Sequence, residues 1–210
     1  MKINRQCITR LGRYRNALHR LEALGFVNVF SDNIADAVGV TASCVRKDFS
    51  IFGISGNKRG GYAIAGLIAQ INHILGKDEI QKAIVIGVRN IGQALINYPG
   101  FVKEGINIVA GFDIDPSKYS QYSDVPILAM DNIGEYIKEH KIKLAIIATP
   151  DIAAQQVLDI TLSSGVRGVL NFAPIRLKTK RDCVISNVNL VLELETVIYF
   201  VNTLEKKRKI

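Results

Sequence analysis

Residues 82–92 read Lys82-Ala83-Ile84-Val85-Ile86-Gly87-Val88-Arg89-Asn90-Ile91-Gly92. The short apolar, β-branched run at its start is the pattern of a buried strand. The strand runs straight into Gly87–Gly92, a tight turn that opens a helix carried through Tyr98. A second strand, Asn107–Phe112, ends in Asp113, 26 residues after Gly87. Strand, glycine turn, helix, strand and acid in this order are the parts of a dinucleotide-binding βαβ unit. The turn and the helix N-terminus take the pyrophosphate, and the acid bonds the adenosine ribose hydroxyls. An acid at Asp113 repels a 2′-phosphate and so favours NAD(H) over NADP(H). One part of G-x-G-x-x-G is missing, because Arg89 stands where the middle glycine lets backbone approach the phosphates. Its guanidinium offers a phosphate partner in exchange.

Toward the C-terminus the rhythm continues. Val125–Ala129 reads as a short strand, Asn132–His140 as a helix and Leu144–Thr149 as a buried strand. Pro150 then stands in the first turn of a helix. Residues 166–172 form another strand, leading into Asn171-Phe172-Ala173-Pro174. Such alternation predicts a parallel sheet with right-handed crossovers, whose ligands sit at the carboxyl ends of the strands. The cofactor-binding candidates are therefore Gly87, Val88, Arg89, Asn90, Ile91, Gly92, Tyr98, Asp113, Thr149 and Asn171. Catalysis is not indicated. His19, His73 and His140 are not at strand ends, and Tyr98 is the one acid–base group near the turn. The tail, Asn189–Glu205, is a helix with Leu190, Leu194, Val197, Ile198, Val201 and Leu204 along one broad side. It is too apolar for a terminal surface helix and needs a covering surface, on its own domain or on a second chain.

Toward the N-terminus the pattern becomes helical, with no proline in residues 1–98. Leu11, Tyr14, Leu18, Leu21 and Leu24 make one amphipathic face, which Gly25 ends. Ser31 is placed to cap a second helix containing Ile34, Ala35 and Val38. Gly39 makes the turn, and Thr41 caps a third helix that buries Val45, Phe49 and Phe52. A small residue, a turn glycine and a buried aliphatic at Ala35, Gly39 and Val45 have the spacing of a helix-turn-helix. The outward face of the third helix carries Ser43, Arg46, Lys47 and Ser50, side chains suited to base edges and phosphates. Gly53–Tyr62 follows, glycine-rich with Lys58 and Arg59 at its tip, and reads as the hairpin wing of a winged helix. Ile64, Leu67, Ile68, Ile71, Ile74 and Leu75 form a further helical stripe, stopped by Gly76.

The charge is unevenly spread along the chain. Of the net +8, residues 1–80 carry +5, residues 81–205 carry −1, and the last five residues carry +4. A basic module beside a neutral one suits one polyanion-binding part and one part with another task. No secretory pattern opens the chain, so a cytoplasmic protein is expected. Cys7, Cys44 and Cys183 are odd in number and scattered, which indicates neither a zinc site nor a disulfide scaffold. Cys44 falls on the recognition helix.

Over essentially its whole length the sequence resembles the Rex family of redox-sensing transcriptional repressors. The matching stretches are Val45–Ser50 (VRKDFS), Lys58–Tyr62 (KRGGY), Asn97–Phe101 (NYPGF), Asn171–Pro174 (NFAP) and Asn187–Leu190 (NVNL). The resemblance implies a homodimer whose winged helices bind double-stranded operator DNA. It implies NAD(H) in the Rossmann-type domain and C-terminal helices swapped between subunits, with NADH closing the dimer and releasing DNA. It places Arg46, Lys47, Lys58 and Arg59 on DNA and Gly87, Gly92 and Asp113 on the adenosine side. Tyr98, Asn171–Pro174 and Leu190 of the partner subunit fall near the nicotinamide. Three positions depart from the family: Arg89, Asn189 where an Asp is common, and Asn16 where an Arg is common. All three bear on sensing, so an altered or weakened NADH response is expected. The expected architecture is α/β: a winged helix-turn-helix domain (1–78), a Rossmann-type parallel sheet domain (79–188) and a swapped dimerisation helix (189–210). The rival reading is a small NAD-binding oxidoreductase or CoA-binding-like domain with a helical extension, which would bind no duplex DNA.

Overall fold

A computed structural model describes residues 4–120, 124–180 and 182–208. Of the basic tail, Lys209 lies outside the described residues. The chain divides into two units, Met1–Glu79 and Ile80–Ile210.

The first unit holds α1 (Arg5–Ala23), β1 (Asn28–Val29), α2 (Ser31–Val38), α3 (Ala42–Ile51), β2 (Tyr62–Ala63) and α4 (Ile64–Ile74). Its core is the sequence-read stripe: Leu11, Tyr14, Leu18, Ile34, Val45, Phe49, Ile64 and Ile71 are fully buried. Phe49 sits at the centre, edge-on to Tyr14 at 5.7 Å and to Tyr62 at 5.2 Å. Such edge-to-face pairs add to the apolar burial. Gly39 takes φ 73°, which brings α3 across α2 over the small Ala35. Thr41 caps α3 as its sequence position suggests, accepting from Cys44 N–H at 3.2 Å. The cap of α2 differs. Phe30 is the N-cap and Ser31 is already helical and buried, while Asn33 reaches back to accept from Phe30 N–H at 3.0 Å. Leu24 lies past the end of α1 and is 74% exposed.

The second unit holds β3 (Gln81–Ile86), α5 (Asn90–Ile96), α6 (Pro99–Lys103), β4 (Ile106–Asp113), β5 (Ile127–Ala129), α7 (Ile133–Glu139), β6 (Leu144–Ile147), α8 (Asp151–Ser164), β7 (Gly168–Asn171), β8 (Val184–Asn187) and α9 (Leu190–Arg208). The six strands pair in the order β5-β4-β3-β6-β7-β8, every pair parallel. This is the doubly wound dinucleotide-fold order, which reverses direction between β3 and β6 and opens a crevice there. One face of the sheet packs Ile84, Ile86, Phe112 and Ile147 against α7 and α8, through Ile137 and Leu158. The other packs Ala83, Val85, Ile108 and Ile146 against residues of α5 and α6.

β3 and β6 stop earlier than read, since Gly87, Ala148 and Thr149 already belong to the turns beyond them, whereas β4 runs one residue further at each end than Asn107–Phe112. The helix expected to run through Tyr98 breaks into α5 and α6 at Pro99, which lacks the N–H that a continuous helix needs.

Candidate functional site

The exposed face of the first unit is built on α3. Val45, Asp48 and Phe49 point inward, which turns Ser43, Arg46, Lys47 and Ser50 to solvent. The inward acid is unusual. Asp48 is 2% exposed and accepts from Arg10 twice (2.6 and 2.7 Å), from Tyr14 Oη at 2.8 Å and from Cys7 Sγ at 3.1 Å. Burial alone would raise its pKa. The donors from Arg10, Cys7 and Tyr14 outweigh burial and hold it below the ordinary carboxylate value. The orientation of α3 is thus fixed from behind by a fork-like ion pair to α1.

The segment after α3 places the other two cations. Asn57 and Gly61 exchange both backbone hydrogen bonds at 2.8 Å, and Asn57 Oδ1 accepts from Arg59 N–H and Gly60 N–H. Lys58 and Arg59 therefore stand at the tip of a tight turn, both exposed. The strand that anchors this wing was not legible: Tyr62–Ala63 pairs antiparallel with Asn28–Val29, ahead of α2.

In the second unit, Gly87, Arg89, Asn90, Asp113 and Thr149 line one cleft of about 640 Å³ at the switch between β3 and β6. Val88, Arg89 and Asn90 also line a neighbouring cleft of about 520 Å³ beside α5. The turn is built as glycine demands. Gly87 has φ 88°, and a Cβ on Gly92 would strike the Gly87 carbonyl oxygen. Asp113, at the end of β4, accepts from Val88 N–H at 2.7 Å and from Asp115 N–H at 3.0 Å. Lys118, which sequence reading missed, donates to the Val88 carbonyl at 2.8 Å and lies 3.8 Å from Asp113. Acid and lysine thus clamp the two ends of residue 88. Arg89 caps α5 with φ −95° and is exposed, so its side chain is not needed by the fold. The buried Thr149 Oγ1 has no hydrogen-bond partner and belongs to a residue lining the cleft.

The remaining candidates lie apart. Ile91 and Tyr98 are exposed on α5 and at the start of α6, Tyr98 edge-on to Phe101 at 5.2 Å. Asn171 is fully buried. Its amide donates to Ala173 O, Ile175 O and Asn187 Oδ1, while Ala173 N–H donates to its oxygen. Its side chain holds the loop after β7 against β8. Asn189 caps α9, accepting from Val191 N–H and Leu192 N–H. Asn16 is exposed and accepts from Arg15.

A glycine turn, an acid at the end of β4 and an open switch-point cleft fit a dinucleotide, and the Arg89 side chain stands exposed at that turn. A cationic winged helix followed by such a sheet defines a two-domain regulator of the helix-turn-helix class. The comparisons with known proteins narrow the class. A family described as CoA binding domain matches residues 78–175, and one described as putative DNA-binding protein N-terminus matches residues 2–50. The redox-sensing transcriptional repressor Rex of Desulforamulus reducens is 37% identical over 207 residues, covering 98% of this chain and 99% of that protein. The repressor of the same name from Oenococcus oeni is 33% identical over 210 residues, covering 97% and 95%. A crystal structure of RSP with β-NAD⁺ and operator DNA superposes with a TM-score of 0.92 at 33% identity, covering 100% of this chain and 97% of that one. RSP with β-NADH gives 0.87. The chain belongs to the Rex family of redox-sensing transcriptional repressors.

Proposed function

We propose that this chain is a redox-sensing repressor that binds double-stranded operator DNA as a homodimer and reports the NADH/NAD⁺ ratio. It is not an enzyme. In this reading residues 1–78 read DNA, residues 79–188 bind NAD(H), and residues 189–210 join two subunits in the cytoplasm. The observation that carries it is the α3 face. Ser43, Arg46, Lys47 and Ser50 are all exposed on one helix whose opposite side is locked by Asp48. Arg46 and Lys47 contact bases or phosphates, and Lys58 and Arg59 follow the backbone from the wing. Gly87, Val88, Arg89, Asn90, Ile91, Gly92 and Asp113 hold the adenosine and phosphate side of NAD(H). Thr149, Tyr98 and the loop that Asn171 shapes serve the nicotinamide side. Arg89, Asn16 and Asn189 weaken the NADH response.

Two features of the second unit support the dimer. Leu190, Leu194, Val197, Ile198, Tyr199, Phe200 and Leu204 of α9 are each at least 50% exposed. The same unit leaves an apolar hollow of about 460 Å³ over β6 and β7, lined by Leu144, Ile146, Val169 and Leu170. An apolar face this broad has to be covered, and a second copy supplies the cover.

The test is fluorescence anisotropy of a labelled operator with added NADH. Operator binding is expected at low salt, with a steep decline as salt rises and incomplete release at micromolar NADH. Full release at micromolar NADH would remove the weakened-response part of the reading. Arg46→Ala with Lys47→Ala is expected to abolish operator binding and leave the oligomeric state unchanged. Unaltered operator affinity in that variant would mean that α3 does not read DNA.

A further inference from the structure

The second buried feature of the first unit is a pair of thiols. Cys7 lies in the first turn of α1 and Cys44 in the first turn of α3, 37 residues apart in sequence. They converge on one carboxylate. Cys7 Sγ donates to Asp48 Oδ1 at 3.1 Å, and Cys44 Sγ is 3.9 Å from Asp48 Oδ2. A cleft of about 370 Å³ opens beside them, lined by both cysteines, Arg10, Thr41, Lys47 and Asp48. Its rim includes Ser43 and Lys47, which belong to the reading face.

We propose that Cys7 and Cys44 form a modification site, a dithiol that hydrogen peroxide converts to an intramolecular disulfide tying α1 to the recognition helix. The two sulfurs have different roles. Cys44 is half-buried at the cleft, whereas Cys7 is 2% exposed. Burial first, then the bond to Asp48, pushes the Cys7 thiol up to about 11, so Cys7 holds its proton while Cys44 reacts. The Cys44 thiolate attacks a peroxide oxygen. The O–O bond breaks, a sulfenic acid forms at Cys44, and the departing hydroxide takes a proton to leave as water. Cys7, held at Asp48 by its S–H, then attacks the Cys44 sulfur, and its proton passes to the departing hydroxide. The S–S bond forms, the S–O bond breaks, and a second water leaves. Two thiols and one peroxide become one disulfide and two waters, with two electrons passing from sulfur to oxygen.

A disulfide requires the two Cα atoms within about 7 Å. Cys7 stands in the first turn of α1, just after the Asn4 cap that accepts from Gln6 N–H. Closing the bond withdraws Cys7 from Asp48 and pulls the start of α1 onto the start of α3, between Ser43 and Lys47. The consequence for DNA rests on the reading of α3 given above; the linkage itself does not.

The experiment uses the full chain, reduced and then treated with hydrogen peroxide, with two readouts. Intact mass and non-reducing peptide mapping are expected to give the loss of two hydrogens and a Cys7–Cys44 link. Operator anisotropy is expected to show at least a tenfold loss of affinity, restored by a thiol reductant. Cys7→Ser and Cys44→Ser should each abolish the link, and Cys183→Ser should retain it. Peroxide-treated protein with Cys7 and Cys44 unlinked, or linked with unchanged operator affinity, overturns the proposal. A reduced chain that binds no operator overturns the reading of α3 instead, and the mapping alone then decides the dithiol.

Discussion

At the scale of single residues, two charges carry opposite lessons. Arg89 is exposed at the turn where backbone approach to a pyrophosphate matters. An exposed ion pair is worth at most about 1 kcal/mol, whereas a hydrogen bond from backbone N–H to a charged group is worth about 1.5–3 kcal/mol. Backbone approach therefore wins, and Arg89→Gly is expected to tighten NADH about tenfold, or ~1.4 kcal/mol. Calorimetric titration of both proteins checks this, and equal or weaker binding by the variant would show Arg89 to be a productive phosphate ligand. Asp48 is the reverse case, a charge that the fold requires. Removing one partner of a buried pair costs about 3 kcal/mol, so Asp48→Asn should lose on that order of stability. Its pKa is held below the unfolded value by donors that outweigh burial. The stabilisation is thus full above about pH 4 and is lost as pH falls through the lower folded value. Thermal melts between pH 3 and 7 should show a steep acid limb in the parent and a flatter one in the variant. Arg89 was legible because it interrupts a known pattern. Asp48 and Lys118 were not, because their partners lie 38 and 30 residues away and only the fold brings them together.

At the scale of elements, periodicity located the helices of the first unit and most strands of the second, because each long element buries one face of regular spacing. Elements shorter than their own period escaped it. β1 and β2 have two residues each, too few to alternate, and exist only through their pairing with one another. Among the described residues between β7 and β8 there is no helix, so the βαβ rhythm gave no cue for β8. The wing is the functional element most exposed to this limit: its glycines and cations were legible, its anchoring strand was not. Lys58 and Arg59 project from a turn closed by the Asn57–Gly61 backbone pair and the Asn57 side chain, not by their own side chains, so replacing both with alanine should leave the fold intact. Each phosphate contact contributes about one unit to the salt dependence of DNA affinity. The double variant is expected to bind operator and unrelated duplex more weakly in the same proportion, with a log–log salt slope shallower by about two. Loss confined to the operator would place the wing on bases instead of backbone.

At the scale of the whole molecule, α9 is the element that a single chain cannot account for. Nineteen residues long, it presents Leu194 at 60% and Val201 at 46% exposure, one above the other two turns apart. Most helical stability in proteins comes from packing an apolar face and not from propensity, so the apolar surface has to be covered for α9 to persist. The sequence made that need visible and left open whether its own domain or a second chain meets it; the exposure of α9 within its own unit favours the second chain. The distinction is measurable with charges. If α9 faces solvent, Leu194→Glu and Val201→Glu are neutral, since an exposed carboxylate costs almost nothing on a helix surface. If two copies bury one another's α9, four carboxylates enter the interface unpaired, each costing several kcal/mol. The double variant should then run as a monomer in analytical ultracentrifugation at concentrations where the parent is a dimer. It should also lose the affinity gained by binding two operator half-sites together, because one winged helix alone cannot recover the avidity of a linked pair. A variant that stays dimeric and keeps its operator affinity would mean that the two subunits meet through another surface.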